Sequence, residues 1–332
     1  MYRYIISNVL YSHDRNQLLL TVYPDLFYLL RETTGLAWPF LHHITTLGLS
    51  IALAFVLGMY YLRKDLLQKE KLGYYSSRKG TLINPGKPAA VLPSKTLGTI
   101  ALLNTICGIV VGKIFYLFEN SNELHNIHSI FSFAGINYFG ALTGMLVSST
   151  VYYYRNNINP LSVFDSAASG FILSYCIGRL GCHVSGDGDW GIENTMAKPF
   201  AWLPDWFWAY DYPHNIIREG VIMNHCDWGN YCYKLAAPVF PTSLYEAIVC
   251  FLLFILLWRI RKKTRPTGFV MSIYLILAGL ERFLIEEIRI NPLIKGLNIT
   301  QAQLVSIILM IAGAALMAGR WYRSKNGGAE PV

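Results

Sequence analysis

One short stretch of the chain concentrates residue types that carry chemistry in enzymes. The sequence GRLGCHVSGDGDWG, residues 178–191, holds an arginine, a thiol, an imidazole, two aspartates and five glycines in fourteen positions. Glycines lose conformational freedom when they are ordered, so five of them favour tight turns or close approach of the backbone to another group over regular structure. The stretch is therefore a candidate site, and we expect it to form a loop from about residue 182 onward.

A second charged group lies in GLERFLIEEIRINP, residues 279–292. Arg282, Glu286 and Arg289 stand at i, i+4 and i+7, which predicts one face of a helix. Guanidinium groups match the geometry of phosphate oxygens, so arginines gathered in one place would suit an anionic headgroup. For any single arginine, a snorkelling side chain that pairs at a membrane interface is an equally good interpretation.

A third element is PTSLYEA, residues 241–247, which has the composition of a helix start. Pro241 suits the first helical position, and the hydroxyl of Thr242 or Ser243 could cap the free amides. Tyr245 and Glu246 then lie in the first turn. Taken alone, they are equally well explained as an interfacial aromatic residue and a partner of the helix dipole.

The composition identifies the environment in which these groups must work. Of 332 residues, 53% are hydrophobic and 14% are charged, and the mean hydropathy is +0.34, which is too apolar for an ordinary soluble protein of this size. Apolar runs near the length that crosses a bilayer recur along the chain. They lie at about residues 44–63, 96–117, 129–152, 160–181, 243–258, 268–288 and 300–319. The sequence therefore predicts an all-α polytopic membrane protein with about seven transmembrane helices.

The positions of Lys and Arg predict the orientation. They cluster in alternate loops, at 64–95, Arg155, 259–265 and 320–325, which the positive-inside rule places in the cytoplasm. The N-terminus is then outside, and the net charge of +8 reflects topology rather than nucleic-acid binding. This topology brings Arg179, Lys113 and the 282–289 group to the outer ends of three helices. Their convergence in one leaflet favours a cationic pocket.

The same reasoning divides the chain into segments. We expect an external or interfacial arm at 1–43, helices 1 to 4 at 44–181 with a basic cytoplasmic loop at 64–95, an external cap segment at 182–242, helices 5 to 7 at 243–319, and a cytoplasmic tail at 320–332. Residues 17–30 contain Pro24 and mix polar with apolar positions, so an arm in the outer interface is expected there.

The six cysteines fall into two groups, with one left in the opening stretch. Cys107, Cys176 and Cys250 lie within apolar runs and are expected to be packing residues. Cys226 and Cys232 lie in the external segment, where an oxidising environment permits a disulfide. A metal site with His225 is the alternative, but two thiols and one imidazole make too few ligands, so the disulfide is favoured.

Four sequence blocks, whose order and spacing along the chain match the family pattern, resemble the prolipoprotein diacylglyceryl transferase family of the bacterial inner membrane. GRLGCHVSGDGDWG is similar to the family's GR-hydrophobic-GN stretch that ends in G-E-x-W/Y-G, with one residue inserted. FPTSLYE is similar to HPSQLYE, RFLIEEIR to RFxxExFR, and AGINYFGALTG, residues 134–144, to GGxSFHGGLxG. The resemblance covers about residues 44–320.

The resemblance implies a reaction. Members of this family move the diacylglyceryl group of phosphatidylglycerol onto the lipobox cysteine thiol that follows a lipoprotein signal peptide, forming a thioether and releasing glycerol phosphate. The implied partners are phosphatidylglycerol, prolipoprotein signal peptides and the bilayer, with no metal, other cofactor or nucleic acid. Arg179 and Arg282 would hold the headgroup, while Glu286 and the aspartates near Gly191 would order the site. The expected substrate-binding residues are Arg179, Arg282, Arg289, Lys113, Cys182, Gly191, Tyr245 and Glu246.

The departures from the family pattern leave the proton acceptor open. Cys182 replaces the asparagine of the GN pair, and Phe139 and Phe240 stand where many members have histidine. A phenyl ring cannot accept a proton. The candidate acceptors are therefore His183, Asp187 and Tyr138. Alternatively, the thiol ionises in the cationic field without a base.

Two other readings of the chain also remain open. It could be a relative that does not lipidate. It could also be a membrane protein that binds or transports an anionic lipid or solute, although the paired repeats and broken helices of transporters are not visible.

Overall fold

The structure is a computed structural model that describes residues 22–75, 91–120, 135–262, 266–294 and 296–325. These residues are mostly helical, as the hydrophobic pattern predicts. In chain order the helices are α1 (Leu26–Thr34), α2 (Thr46–Lys71), α3 (Leu97–Glu119), α4 (Tyr138–Arg155), α5 (Pro160–Ser185), α6 (Asp205–Trp208), α7 (Thr242–Ile260), α8 (Phe269–Ile285) and α9 (Gln301–Lys325). Strands β1 (Val221–Ile222) and β2 (Tyr233–Lys234) pair antiparallel.

A helix lies in each of the seven predicted apolar runs, and five of these helices meet the length and hydropathy expected of a membrane span. They are α2, α3, α5, α7 and α9 over Gln301–Tyr322. Their outward faces are apolar: Leu102 on α3 is 64% exposed and Phe118 is 81% exposed. Such exposed apolar surface is stable in hydrocarbon and unfavourable in water. The chain is therefore a multi-pass helical membrane protein, while a span count of seven and the orientation stay predictions.

The predicted start of the basic loop is wrong. The basic loop expected at 64–95 begins later, because α2 continues to Lys71. Asp65 pairs with Arg261, and Lys69 donates to the carbonyl of Ser162 and the hydroxyl of Ser166. These partners hold the charged residues in helical geometry. Residues 76–90 of that loop lie outside the described residues.

The third apolar run and the N-terminal arm are described only in part. Of the run at 129–152, the structure describes residues from 135 onward, and α4 begins at Tyr138. The arm expected at 17–30 contains α1, which begins after Pro24 because the buried Asp25 carboxylate accepts the Tyr28 amide at 3.1 Å. Residues 1–21 lie outside the described residues.

The chain divides into two compact units. The first comprises Met1–Gly58, Phe171–Leu256 and Tyr274–Gly313, and the second comprises Met59–Gly170, Leu257–Ile273 and Ala314–Val332. In the second unit, α3 and α4 pack closely through paired small residues. A side chain added at Gly112 would meet the carbonyl of Asn137 at 3.0 Å, and one added at Gly140 would meet Phe115. Each helix has a second glycine four residues away, Gly108 on α3 and Gly144 on α4, and such spacing of small residues permits close approach of helices in membranes.

A buried carboxylate organises another part of the second unit. Asp165 on α5 accepts the amides of Gly268 at 2.6 Å and Met271 at 2.7 Å. The Met271 amide belongs to the first turn of α8, and Gly268 is the residue directly before this helix. A side chain distant in sequence therefore caps α8. The start of α8 therefore depends on tertiary contact rather than on a local capping residue.

In the first unit, the segment from 186 to 241 contains little regular structure. Its buried core comprises Val22, Trp190, Tyr210, Tyr212, Leu235 and Val239. Within this segment, Cys226 and Cys232 are joined in a disulfide. The loop that they close carries Trp228, whose ring stacks on Tyr28 of α1 at 4.4 Å and on His214 at 3.8 Å between centroids. Burial lowers the pKa of His214, so a neutral imidazole makes the stack at neutral pH.

We predict that replacing both cysteines, as Cys226→Ser with Cys232→Ser, loosens the contact of Trp228 with α1. Closing a loop of this length stabilises by about 2 kcal/mol, so amide exchange near Trp228 and α1 should accelerate while helical content is unchanged. Cys107→Ser is the matched control. Peptide mapping without reductant should recover the 226–232 link; two free thiols, or one zinc ion per chain, would contradict the disulfide.

Candidate active site

The Glu246 carboxylate lies at the centre of a charged cluster in the first unit. Its side chain is 0% exposed. One oxygen accepts from Arg289 Nη1 at 2.7 Å, and the other lies 2.9 Å from Arg179 Nε and 3.6 Å from Arg282 Nη1. The Tyr175 hydroxyl donates to that second oxygen at 2.5 Å. A carboxylate without water needs such partners to remain charged, and Glu246 has three guanidinium groups.

Asp189 adds a second link between two of these arginines. Its carboxylate pairs with Arg179, and its other oxygen lies 2.6 Å from Arg289 Nη2. Burial alone would raise the pKa of Asp189, but the two guanidinium groups outweigh burial and the pKa falls below its usual value. Asp189 is therefore ionised at neutral pH, and it pairs with a nitrogen atom of each arginine other than the one that pairs with Glu246.

Glu286 orients the third arginine. Its side chain is 0% exposed, and Oε2 lies 2.7 Å from Arg282 Nη2. The other oxygen accepts from Asn291 Nδ2 and from the Thr300 hydroxyl, both at 2.7 Å. Thr300 immediately precedes α9, so the carboxylate ties the end of α8 to the start of α9.

The expected helical face from residue 282 to 289 is wrong, although its charged residues do meet. Helix α8 ends at Ile285, a 3-10 turn covers Glu286–Ile288, and Arg289 is extended with φ −99° and ψ 155°. The Ile192 amide donates to the carbonyl of Ile288 at 2.9 Å. This contact with the 186–241 segment replaces the helical hydrogen bonding, and it directs Arg289 toward Glu246.

At Gly191, the glycine-rich stretch lies against the backbone of residues 288–289 and 240. This glycine forms an isolated β-bridge with Arg289, and its amide donates to the carbonyl of Phe240 at 2.9 Å. A side chain at this position would strike the backbone carbonyl of Ile288 and the Thr242 side chain. Only glycine lets the two backbones meet, and this approach places Asp189 beside Arg289.

The loop expected from residue 182 begins four residues later, because α5 continues to Ser185. Gly186 then takes φ 62°, which ends the helix in a left-handed conformation that favours glycine. Cys182 and His183 are thus helical residues. Extension of α5 is favoured because the carbonyls of Val184 and Ser185 accept the amides of Tyr23 and Ile216.

His183 is buried at 1% exposure rather than facing solvent from a loop. Its Nδ1 lies 3.1 Å from the Tyr212 hydroxyl, and its ring packs against Tyr210 and Tyr212. Burial raises the pKa of Tyr212, so that phenol stays neutral. Among the described residues, Nε2 of His183 has no hydrogen-bond partner. The expected position of His183 was wrong, and its role as a base stays a prediction.

Cys182, Asp187 and Asp189 lie together, with one ligand atom from each within 4.8 Å of the others. Asp187 accepts the Asp189 amide at 3.2 Å. Both oxygens of Asp189 already accept from guanidinium groups, so one thiol and one carboxylate remain. That is fewer ligands than a protein metal site normally provides.

The remaining expected site residues divide between the two units. In the first unit, the Tyr245 hydroxyl donates to the carbonyl of Phe207 at 2.6 Å, which fastens α7 to the 186–241 segment. In the second unit, Lys113 is buried with Nζ 5.0 Å from the centre of the Tyr116 ring. Tyr138 begins α4 and is 65% exposed. Lys113 and Tyr138 thus belong to a different unit from the arginine cluster.

The sequence did not identify Tyr175, which contacts the cluster, or Glu281, which lies near it. Tyr175 precedes Arg179 by one helical turn, and the Arg179 guanidinium lies 4.9 Å from the centre of its ring. The i, i+4 spacing was the available signal. Glu281 directly precedes Arg282 and is buried at 8% exposure. A carboxylate within an apolar run is itself a signal of function.

The cluster is less cationic than the pocket expected from the sequence. Three arginines (Arg179, Arg282 and Arg289) are interleaved with three paired carboxylates (Asp189, Glu246 and Glu286). The pairs fix the guanidinium groups, yet Nη1 of Arg282 and Nε of Arg289 are buried with no hydrogen-bond partner in the described part of the chain. These two nitrogen atoms are therefore oriented donors, and an anionic oxygen could accept hydrogen bonds from them.

Comparisons with known proteins agree with this chemistry. The family model "Prolipoprotein diacylglyceryl transferase" matches residues 36–319. A phosphatidylglycerol–prolipoprotein diacylglyceryl transferase of Staphylococcus carnosus is 30% identical over 259 residues, 76% of this chain and 82% of the relative. The Clostridioides difficile enzyme of the same name is 29% identical over 230 residues, 68% of this chain and 78% of the relative. The enzyme of the same name from Staphylococcus aureus strain Newman is 28% identical over 256 residues, which are 75% of this chain and 80% of the relative.

The family match extends over most of the chain, and it includes all three arginines of the cluster and the carboxylates that hold them. The relatives align over more than two thirds of their own lengths. On the strength of this match, the chain belongs to the prolipoprotein diacylglyceryl transferase family.

Proposed function

We propose that this protein transfers the diacylglyceryl group of phosphatidylglycerol to the lipobox cysteine thiol of prolipoproteins. The observation that carries the proposal is the set of three arginines around Glu246, within a chain whose relatives are named for this reaction. The reaction needs a held phosphate and stabilised charge on the leaving group, and the arginines can supply both.

The phosphate would bind to the donors that the cluster leaves free. Nη1 of Arg282 and Nε of Arg289 are buried without hydrogen-bond partners in the described ranges, and Arg179 adds charge beside them. Asp189, Glu246 and Glu286 fix the guanidinium groups before the lipid arrives. Such preorganisation is valuable because the donors do not have to reorganise as negative charge moves to the leaving phosphate.

The chemical step would be a displacement at the glyceryl carbon that carries the phosphate. The substrate sulfur forms a bond to this carbon, and the carbon–oxygen bond to phosphate breaks. The electron pair leaves with glycerol phosphate, whose charge the arginines stabilise. Since the thiolate rather than the thiol is the nucleophile, a group must take the thiol proton.

The proposed setting is the outer leaflet of a bacterial inner membrane. The alternation of basic loops supports an outside N-terminus, a cytoplasmic C-terminus and an external 182–242 segment. Contacts of that segment with the site, at Gly191 with Arg289 and at Phe207 with Tyr245, support a cap that grips the incoming signal peptide. Phosphatidylglycerol and prolipoprotein signal peptides with a lipobox cysteine are the proposed substrates.

We predict that the purified protein, given phosphatidylglycerol and a lipobox peptide, produces a peptide heavier by one diacylglyceryl group. Mass spectrometry measures the product. A peptide with serine in place of the lipobox cysteine is the control and should stay unmodified. Lipid binding or flux without any change of peptide mass would contradict the transferase and favour a binding or transport protein.

We predict that Arg179→Lys and Arg282→Lys each slow lipidation strongly. Lysine keeps the charge but loses the two parallel donors that match phosphate oxygens. Loss of such a contact costs on the order of 2–4 kcal/mol, or roughly thirty- to a thousand-fold in rate if it is felt in the transition state. Conversion of prolipoprotein is measured in cells depleted of their own transferase, with insertion verified by blotting.

The matched control for these arginines is Arg155→Lys, at the exposed end of α4. It should leave conversion unchanged. Near-normal conversion in both Arg179→Lys and Arg282→Lys would mean that the headgroup is held elsewhere and that residues 178–191 form a structural turn.

We predict that His183→Gln alters the pH dependence of the rate only if His183 is the base. An imidazole ordinarily titrates near neutrality, so its loss would remove a step from the pH–rate profile. Its burial and its Tyr212 partner support a positioning role instead. In that case the variant changes the rate without changing the shape of the profile. An unchanged profile removes the base assignment.

A further inference from the structure

Glu281 is a buried carboxylate that the charged cluster does not use. It lies on α8 directly before Arg282 and is 8% exposed. Its Oε1 is buried, and no hydrogen bond or ion pair to this side chain occurs among the described residues. Asp189, Glu246 and Glu286 each pair with at least one arginine, so Glu281 differs from all three.

The helix geometry directs Glu281 toward the cluster. Gly279 lies against the Ser306 carbonyl and the Met310 side chain of α9. Two residues along a helix correspond to a rotation of about 200°, so Glu281 projects from the side of α8 opposite α9.

The electrostatic neighbours of Glu281 agree with this direction. They are Glu246 and Cys250 on α7, Tyr175 and Arg179 on α5, and Arg282 and Arg289. Glu281 thus lies within electrostatic range of the guanidinium groups and of Glu246 and Cys250, which are one helical turn apart on α7.

The charges of the cluster leave Glu281 without a counter-ion of its own. Three guanidinium groups are shared by Asp189, Glu246 and Glu286, which balance them. A fourth carboxylate is one more than the arginines neutralise. A buried and unpaired polar group is costly, and charged residues within membrane helices commonly mark functional sites. A carboxylate that is buried near guanidinium groups but paired with none of them is more basic than a paired one, so Glu281 is better suited than Asp189, Glu246 or Glu286 to accept a proton.

We propose that Glu281 is the catalytic base that takes the proton from the lipobox cysteine thiol. The proposal rests on the proposed transferase function. It supplies the acceptor that this chain needs, because Phe139 and Phe240 cannot take a proton. Among the alternatives, His183 packs against Tyr210 and Tyr212. Its Nε2 also lacks a partner in the described residues, but no hydrogen bond or ion pair among those residues joins His183 to the three arginines.

The step balances in atoms and charge. The thiol proton moves to Oε1 of Glu281 while sulfur forms a bond to the glyceryl carbon. The carbon–oxygen bond breaks, and its electron pair leaves on the phosphate oxygen. Glu281 then passes the proton to that oxygen and returns to the carboxylate. The lipid carries one negative charge before the reaction, and the protonated glycerol phosphate carries one negative charge when it is released. The net charge of the cluster is therefore the same before and after the reaction.

The test compares Glu281→Gln with the unaltered protein on two lipobox peptides, one with cysteine and one with selenocysteine. A selenol is more acidic than a thiol and is already ionised at neutral pH, so it needs no base. With the cysteine peptide we expect Glu281→Gln to lower the rate about a hundred- to ten-thousand-fold. With the selenocysteine peptide the two proteins should differ by less than about fivefold.

The control is Glu287→Gln, an exposed glutamate of the same segment that accepts from Gln303 at 2.8 Å. It should behave as the unaltered protein on both peptides. Equal losses of Glu281→Gln on the two peptides would assign Glu281 a structural role and overturn the proposal, as would a near-normal rate on cysteine. Absence of product from the unaltered protein would instead overturn the transferase function itself.

Discussion

Ion pairing in a water-poor environment is the constraint on which this structure depends. Glu246 is completely buried, and its charge is tolerated because Arg179, Arg282 and Arg289 converge on it. Each arginine comes from a different place: α5, α8 and the extended stretch after α8. Removal of one partner from such a cluster leaves an uncompensated charge and typically costs 3–5 kcal/mol. The carboxylate therefore fixes the relative positions of α5, α7 and the end of α8 within the first unit.

The same pairing prepares the arginines for an anionic ligand. A long side chain free in solution loses rotamer entropy when it binds, but these guanidinium groups are already held by Asp189, Glu246 and Glu286. Neutralisation by carboxylates also explains how three arginines can lie together without repulsion. The headgroup would use Nη1 of Arg282 and Nε of Arg289, which donate no hydrogen bond in the described residues. Of these two atoms, Nη1 of Arg282 already lies 3.6 Å from the Glu246 carboxylate.

Phe139 and Phe240, which the resemblance places where many family members have histidine, give the proposed role of Glu281 its chemical context. Proton transfer within a membrane needs an acceptor that is buried with the nucleophile and close to the developing charge. Imidazole can meet this requirement at neutral pH, and a carboxylate can meet it where burial and neighbouring negative groups oppose its charge. In the described part of this chain, Oε1 of Glu281 is buried without a hydrogen-bond partner, on the helix that also carries Arg282.

The sequence by itself determined the membrane class, the approximate positions of the helices, the family and most of the charged residues of the site. Hydropathy and charge depend on composition along the chain, so they can be read locally. The Cys226–Cys232 pairing was also the favoured local interpretation, and the structure contains it. By contrast, the end of α5 at Ser185 and the end of α8 at Ile285 depend on partners distant in sequence.

Tertiary structure alone decided how the charged residues are shared. The sequence shows three arginines and several carboxylates, but no local rule reveals that Glu246 serves all three arginines or that Glu281 serves none in the described residues. Gly191 is a similar case. Glycine is required at this position because a side chain would strike the carbonyl of Ile288, which lies almost a hundred positions later in the chain. Burial and pairing are properties of positions in space, and segments far apart in the chain supply both.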